Sequence, residues 1–337
     1  MRNQVLLLPT VVCAAETARR AAQGIPGAVC LPNQQGCAQV GADAEMTRLT
    51  LLGTGLNANV YGVVVVGLGC ETTQPQRMAQ EIAAGGKPVE LVVIQEEGGT
   101  VRAAVRAAEL AGRLARRAAA QAREPCELSG LVVALECGGS DPTSGLAANP
   151  AVGLASDRVV REGGTVILSE TTEMIGAEHL LAARARDREV ASGILRLVAD
   201  MEERIRGMGG DVRRANPTPG NMAGGLTTLE EKSLGCVHKA GSSPPVEVLP
   251  YAARPTRRGL VIMDSPGADV ESVTGMVAGG AQICLFTTGR GTPVGNPLAP
   301  VIKVTGNPQT FRRMEDNVDI NAGEVLAGGT SLEQMGE

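Results

Sequence analysis

Short runs of branched aliphatic residues recur along the chain, at residues 5–8, 63–66, 91–94, 131–135, 166–168, 260–263 and 283–286. None alternates apolar with polar, so each predicts a strand covered on both faces, as in a parallel sheet. Ala/Arg-rich stretches at 16–23, 76–84, 102–123 and 177–208 lie between them and predict amphipathic helices. In the third of these the charges fall at Arg102, Arg106, Glu109, Arg113, Arg116 and Arg117, which marks a solvated helix face. Strand–helix alternation of this kind predicts an α/β architecture of two Rossmann-like or flavodoxin-like layered domains with mainly parallel sheets. Pro125 ends the long Arg/Ala stretch just before a new apolar run, so the division is expected at residues 1–124 and 125–337.

Composition narrows the function. The formal charge is −5, without the basic excess of a nucleic-acid binder. Aromatics make up 1% of the chain, with no tryptophan, which removes base-stacking platforms and aromatic cages. No apolar run approaches the roughly 18 residues needed to span a bilayer. The run from Val5 to Cys13 is interrupted by Pro9 and preceded only by Arg2, so it reads as a buried first strand, not a lipoprotein signal. Eight irregularly spaced cysteines without a CxxC fit a reducing cytoplasm better than a disulfide framework.

Chemistry gathers where the predicted strands end. The runs are followed by Gly67-Leu68-Gly69-Cys70-Glu71, by Gln95-Glu96-Glu97-Gly98-Gly99-Thr100, by Glu136-Cys137-Gly138-Gly139-Ser140-Asp141, by Ser169-Glu170-Thr171, and by Thr287-Thr288-Gly289-Arg290-Gly291-Thr292-Pro293. Open α/β sheets bind ligands at strand carboxyl ends, so the site is expected there. A dinucleotide fingerprint fails, because Thr72 stands where a third glycine is required, and no phosphate-binding GxxxxGK[ST] loop occurs. Cys37, Cys70 and Cys137 sit in glycine-flanked turns and are candidate ligands for iron, zinc or an iron–sulfur centre; three small buried residues would read the same way. Cys13, Cys30, Cys126 and Cys284 read as small core residues. With two histidines, His179 and His238, a three-histidine zinc site is excluded. Lysines are scarce, at 87, 232, 239 and 303, and Lys232 is a candidate for a chemically chosen amine.

These motifs, with Leu8-Pro9-Thr10-Val11-Val12-Cys13 at the start, resemble the altronate/galactarate dehydratase family, which also contains the large subunit of sulfolactate sulfo-lyase. So do Ala148-Asn149-Pro150, Gly176-Ala177-Glu178-His179, Asn216-Pro217 with Pro219-Gly220-Asn221, and the stretch from Gly225 to Ser233. The resemblance implies a divalent-metal lyase, Fe2+ before Mn2+, that removes water from a sugar acid to give a 2-keto-3-deoxy acid. Some relatives remove sulfite from sulfolactate instead.

On that reading Cys37, Cys70 and Cys137 hold the metal. Glu71, Glu136, Glu170, His179 and Lys232 form the acid/base pool. Gly138, Gly139, Ser140, Asp141, Asn221, Arg290 and Lys303 bind the substrate. Family members carry a small β-rich SAF domain on the same chain or as a separate subunit, so a separate SAF partner and a homo-oligomer are expected. Asn33 stands where the family usually has histidine, Gln35 where it often has an acid or histidine, and His238 where it more often has glutamine. A non-catalytic subunit that binds small acids, and an iron–sulfur oxidoreductase, are the alternatives from other classes.

Overall fold

A computed structural model describes all 337 residues. Its architecture is layered α/β with two wholly parallel sheets. The first orders its strands β2-β1-β3-β4, with β1 Gln4–Pro9, β2 Ala28–Cys30, β3 Val60–Gly67 and β4 Val89–Val93. The second orders them β11-β10-β9-β5-β6-β8-β7. Here β5 is Val132–Cys137, β6 Thr165–Leu168, β7 Pro245–Leu249, β8 Gly259–Met263, β9 Ile283–Thr288, β10 Val301–Thr305 and β11 Ile320–Asn321. All seven apolar runs are strands.

The four strands without such a run lie at or next to sheet edges. Strand β2 is three half-buried residues, β7 is buried only at its two ends, β11 is two residues long, and Lys303 interrupts β10. The helical stretches also hold, with one correction. Residues 177–208 form two helices, Glu178–Ala183 and Arg188–Gly207. The Asp187 carboxylate accepts from the Val190 N–H at 3.0 Å and so caps the start of the second. Helices Gly41–Gly55, Asn149–Arg161 and Asp269–Ala278 had no clear Ala/Arg signature and escaped the pattern.

Helix Thr100–Ala119 shows why small residues dominate this core. Its buried stripe is Ala103, Ala107, Leu110, Ala111, Leu114 and Ala118, and four alanines let it approach β1 and β3 closely. One apolar cluster runs between the sheets, joining Leu6, Leu8 and Val65 to Met276, Ala134 and Phe286. Helices Gly41–Gly55 and Asp269–Ala278 lie against each other in that layer. A Cβ on Gly53 would fall 2.3 Å from the Ala278 carbonyl oxygen, so only glycine permits this crossing. Each helix runs back from the carboxyl edge of its sheet to the amino edge, and they meet at their carboxyl ends. No helix is long and apolar enough to cross a membrane.

Polar links lock the two sheets together at the amino edge. Asn57 Nδ2 donates to the carbonyls of Val277 and Ala281 at 2.8 and 2.9 Å. Asn59 Nδ2 donates to those of Gln282 and Leu298 at 2.9 and 3.1 Å. Both asparagines are buried. Asn59→Ala should cost about 2–4 kcal/mol, because it strands buried carbonyls. Urea unfolding with an unchanged m-value checks this, and an unchanged midpoint would show that the sheets are held by apolar contact alone.

Candidate functional site

In the second sheet the chain leaves β5 toward β6 on one side and later returns to β9 on the other. Such a reversal leaves a crevice outside the carboxyl ends of the two central strands. Two loops close over it. The Gly138 N–H donates to the Thr287 carbonyl at 3.1 Å, and the Gly289 and Arg290 N–H groups donate to the Gly139 carbonyl at 3.2 and 2.8 Å. A Cβ on Gly138 would lie 2.4 Å from Asp269 Oδ2, so that carboxylate would have to shift, and Gly139 has φ +59°, which favours glycine. Asp141 Oδ1 accepts from the Thr143 N–H and hydroxyl at 2.9 and 2.5 Å, and Asn307 Nδ2 donates to Oδ2 at 3.0 Å. Asn221 Nδ2 donates to the Ser140 carbonyl at 2.9 Å. Asp141 and Asn221 thus use polar atoms to build the rim itself.

Beneath the rim lies a charged cluster shut off from solvent. Glu136 is the penultimate residue of β5, Glu170 follows β6 by two residues, and Lys239 follows helix Leu229–Val237; all are 0% exposed. Lys239 Nζ donates to Glu170 Oε2 at 2.6 Å, and the Cys137 N–H donates to the same oxygen at 2.9 Å. Glu170 takes a left-handed backbone, φ +64°, which is rare for a side chain of its size. The Ser265 hydroxyl holds that turn by accepting from the Glu170 N–H at 2.8 Å. The Ser272 hydroxyl donates to Glu136 Oε2 at 2.5 Å, and Ser169 Oγ lies 2.7 Å from Ser272 Oγ. Cys137 Sγ is 3.8 Å from Cys236 Sγ and 3.5 Å from Glu170 Oε1.

Burial pushes Glu136 well above the usual carboxylate range, and the neighbouring Glu170 carboxylate pushes it further. For Lys239 burial acts downward, but the surrounding Cys137, Cys236, Glu170 and Glu136 outweigh it and hold the ammonium. The Cys236 contact and burial raise the Cys137 thiol. Asp269, at the edge of the cluster, is pushed up to about 6, by burial first and then by Glu170.

A cavity of about 250 Å3 adjoins this cluster, and Lys232, Cys236, His238, Asn149 and Ser144 help to line it. One turn of π-helix, Ser144–Ala148, forms part of its wall; such turns recur at functional sites. Lys232 Nζ lies 3.1 and 3.0 Å from the two Glu173 oxygens and donates to Asn216 Oδ1 at 2.8 Å. Burial lowers Lys232, yet Glu173 more than compensates, so its ammonium is retained.

The expected site residues divide into three groups. Glu136, Glu170, Cys137 and Lys232 belong to the cluster and its cavity. Gly138, Gly139, Ser140, Asp141, Asn221 and Arg290 form the rim, and Arg290 is exposed with its stem beside Gly224. The rest lie elsewhere. Glu71 belongs to the first sheet, where its carboxylate accepts from Thr10 Oγ1 at 2.7 Å and from the Leu68 and Gly69 N–H groups at 3.0 and 2.6 Å. Cys37 and Cys70 are exposed on loops of that sheet. His179 is exposed, and Lys303 is buried two residues short of the carboxyl end of β10.

Cys13 and Cys126 prove exposed, against the expectation of core residues, Cys30 is half-buried, and Cys284 is buried as expected. Sequence reasoning gave Lys239 no role and passed over Cys236. The signal for Cys236 was its place four residues after Lys232, on the same helix face. Lys239 stood out only as one of four lysines. The atoms that converge on Cys137 are those of Glu170 and Cys236; the three residues present ligand atoms within 4.8 Å of one another. Two sulfurs and a carboxylate fit a thiophilic dication better than magnesium.

Comparison with known proteins identifies the family. Residues 1–119 match the family described as D-galactarate dehydratase/Altronate hydrolase, second domain, and residues 128–337 match D-galactarate/Altronate dehydratase, C-terminal. The chain is 39% identical to the (2R)-sulfolactate sulfo-lyase subunit beta of Chromohalobacter salexigens over all of its own length and 86% of that protein. It is 35% identical to the altronate dehydratase of Escherichia coli over 97% of this chain and 68% of that one. It is 42% identical to the galactarate dehydratase (L-threo-forming) of Escherichia coli over 85% of this chain, spanning 56% of that enzyme.

Two predictions follow from the cluster's charges. Lys239→Met should destabilise the protein by about 3–5 kcal/mol, because it leaves Glu170 buried and unpaired, and adding Glu170→Gln should restore part of the loss. Denaturant unfolding of the single and double variants measures this. The second prediction concerns pH. Folded Glu136 keeps its proton to a higher pH than the unfolded chain does, so its contribution to stability is full below about pH 4.5 and falls as pH rises toward its folded value. Asp269 acts with the same sign up to about pH 6. Glu136→Gln should therefore gain on the parent protein between pH 5 and pH 8 by about 1 kcal/mol or more. Parallel unfolding curves would contradict the raised carboxyl.

Proposed function

This chain belongs to the D-galactarate/altronate dehydratase family, and we propose that it is a lyase removing water from a hydroxylated sugar acid, altronate- or galactarate-like, to leave a 2-keto-3-deoxy acid. The observation that carries the reading is the buried Glu136–Glu170–Lys239 cluster, which Cys137 and Cys236 connect to a cavity at the carboxyl edge of the second sheet. Elimination beside a carboxylate needs a proton taken from the α-carbon and a proton given to the departing hydroxyl. A divalent metal, Fe2+ or Mn2+, supplies Lewis-acid polarisation of the substrate carboxylate when bound.

The remaining work falls to the chain's own groups. Lys232, held as an ammonium by Glu173, attracts the acid into the cavity. Arg290 offers its planar fork at the rim, and the amides of Gly138 and Gly139 shape the loop around it. His238 lines the cavity, which His179 does not, and accepts the α-proton. Glu136, pushed well up by burial and by Glu170, holds a proton below, and Lys239 pairs with Glu170. We read residues 1–124 and 125–337 as the two units, assembled as a homo-oligomer in the cytoplasm.

Elimination of sulfite from sulfolactate is the second reading. The sulfo-lyase subunit beta favours it, because this chain spans 86% of that protein and 68% of the Escherichia coli altronate dehydratase. The proton abstraction is shared and only the leaving group differs. That reading also brings a separate small SAF-type subunit as partner.

Turnover decides among these. Anaerobic, iron-loaded protein, with and without a separate SAF-type subunit, should form a 2-keto acid from altronate or galactarate, or release sulfite from sulfolactate. Arg290→Lys should lower kcat/KM by about tenfold or more with the fold unchanged, since lysine offers a point charge in place of a fork. His238→Ala should lower kcat by about 10²-fold or more. If no acid is consumed, and Asn33→His restores nothing, the chain is a binding subunit.

A further inference from the structure

We infer that Cys137, Cys236 and Glu170 are the three protein ligands of a thiophilic dication, zinc or iron(II), whose fourth position faces the cavity. Two of the three spacings are those of ligands on one tetrahedral ion, and the third pair lies within 4.8 Å. Two sulfurs bound at about 2.3 Å to such an ion lie about 3.8 Å apart, and a sulfur and a carboxylate oxygen about 3.6 Å apart. Here the sulfurs are 3.8 Å apart, and Cys137 Sγ lies 3.5 Å from Glu170 Oε1.

The neighbours divide the carboxylate between two tasks. Lys239 and the Cys137 N–H both take Oε2, which leaves Oε1 toward the sulfurs. A group that orients a metal-binding side chain in this way fixes which oxygen binds. Charge also balances. Two thiolates and Glu170 bring three negative charges, and Lys239 with a dication brings three positive, so a site this deeply buried stays neutral. Without the ion, two thiols and the Lys239–Glu170 pair are neutral as well. Metal uptake is thus an exchange of one dication for two thiol protons, which leave to solvent. Three protein ligands with one open position is the pattern of a catalytic rather than a structural ion. Cys236 is the ligand that lines the cavity, so the open position lies where a substrate oxygen arrives. Exposed Cys37 and Cys70 stand outside this set.

The assignment rests on the lyase reading for the identity of the cavity, but its test reads metal and not turnover, so the two fail separately. Protein stripped with a chelator is titrated anaerobically with Co2+ alone. Binding of one ion per chain, with a thiolate-to-cobalt charge-transfer band, is expected. Cys236→Ser should remove roughly half of that band or abolish binding, and Glu170→Gln should weaken affinity by about 10–100-fold. Cys37→Ser and Cys70→Ser should leave the spectrum unchanged. Cys236 belongs to a half-exposed helix, so its variant stays informative if Cys137→Ser fails to fold. A cobalt spectrum without thiolate bands, no bound ion, or a band lost through Cys37→Ser or Cys70→Ser would overturn the assignment.

Discussion

A lysine ammonium with no access to water is tolerable only against a carboxylate with good geometry, and the second half of this chain is arranged around one such contact. Lys239 and Glu170 meet at 2.6 Å with both side chains fully enclosed. Helix Leu229–Val237 must therefore end over β6, and Glu170 must leave β6 in a left-handed turn to reach it. The Ser265 hydroxyl after β8 holds that turn, so three segments far apart in sequence are fixed by one ion pair. Glu136 bears the consequence. Burial and the neighbouring Glu170 push its carboxyl well above the usual range, against the Ser272 hydroxyl, whose hydrogen bond favours the ionised form.

Around this cluster the chain uses glycine and hydroxyl groups instead of bulk. The two loops of the switch point bond to each other through the Gly138 amide and the Gly139 carbonyl, and Gly138 leaves room for Asp269. The first sheet repeats the arrangement at its own reversal between β1 and β3. There Thr10 and Glu71 close the strand ends, but the Glu71 carboxylate is fully taken by three donors. Two similar sheets thus differ in what their carboxyl edges leave available.

Much of this was legible in the sequence because buried parallel strands are continuous apolar runs. Seven of the eleven strands announced themselves that way; β2, β7 and β11 did not, because edge positions leave them short or partly solvated, and Lys303 interrupts β10. Glu136, Glu170 and Cys137 were readable as residues ending strands. Lys239 and Cys236 were not, since a helix and the turn after it bring them to the site and no strand points to them. The structure does not gather Cys37, Cys70 and Cys137 into one ligand group, for a related reason. Turns that look alike in sequence, at Cys37, Cys70 and Cys137, belong to two different sheets, and the partners of Cys137 come from its own. Residues 177–208 were read as one helix because the apolar period survives the break, which a single aspartate at 187 dictates.

The central claim is that the acid binds at the β5/β9 reversal of the second sheet, above the Lys239–Glu170 pair. An anaerobic crystal structure with a slowly reacting hydroxy-acid analogue tests it directly. The account predicts the ligand in the cavity beside Cys236 and His238, with its carboxylate within hydrogen-bond reach of Lys232 or Arg290. A ligand seated instead at the first sheet, among Cys37, Cys70 and Glu71, would contradict it.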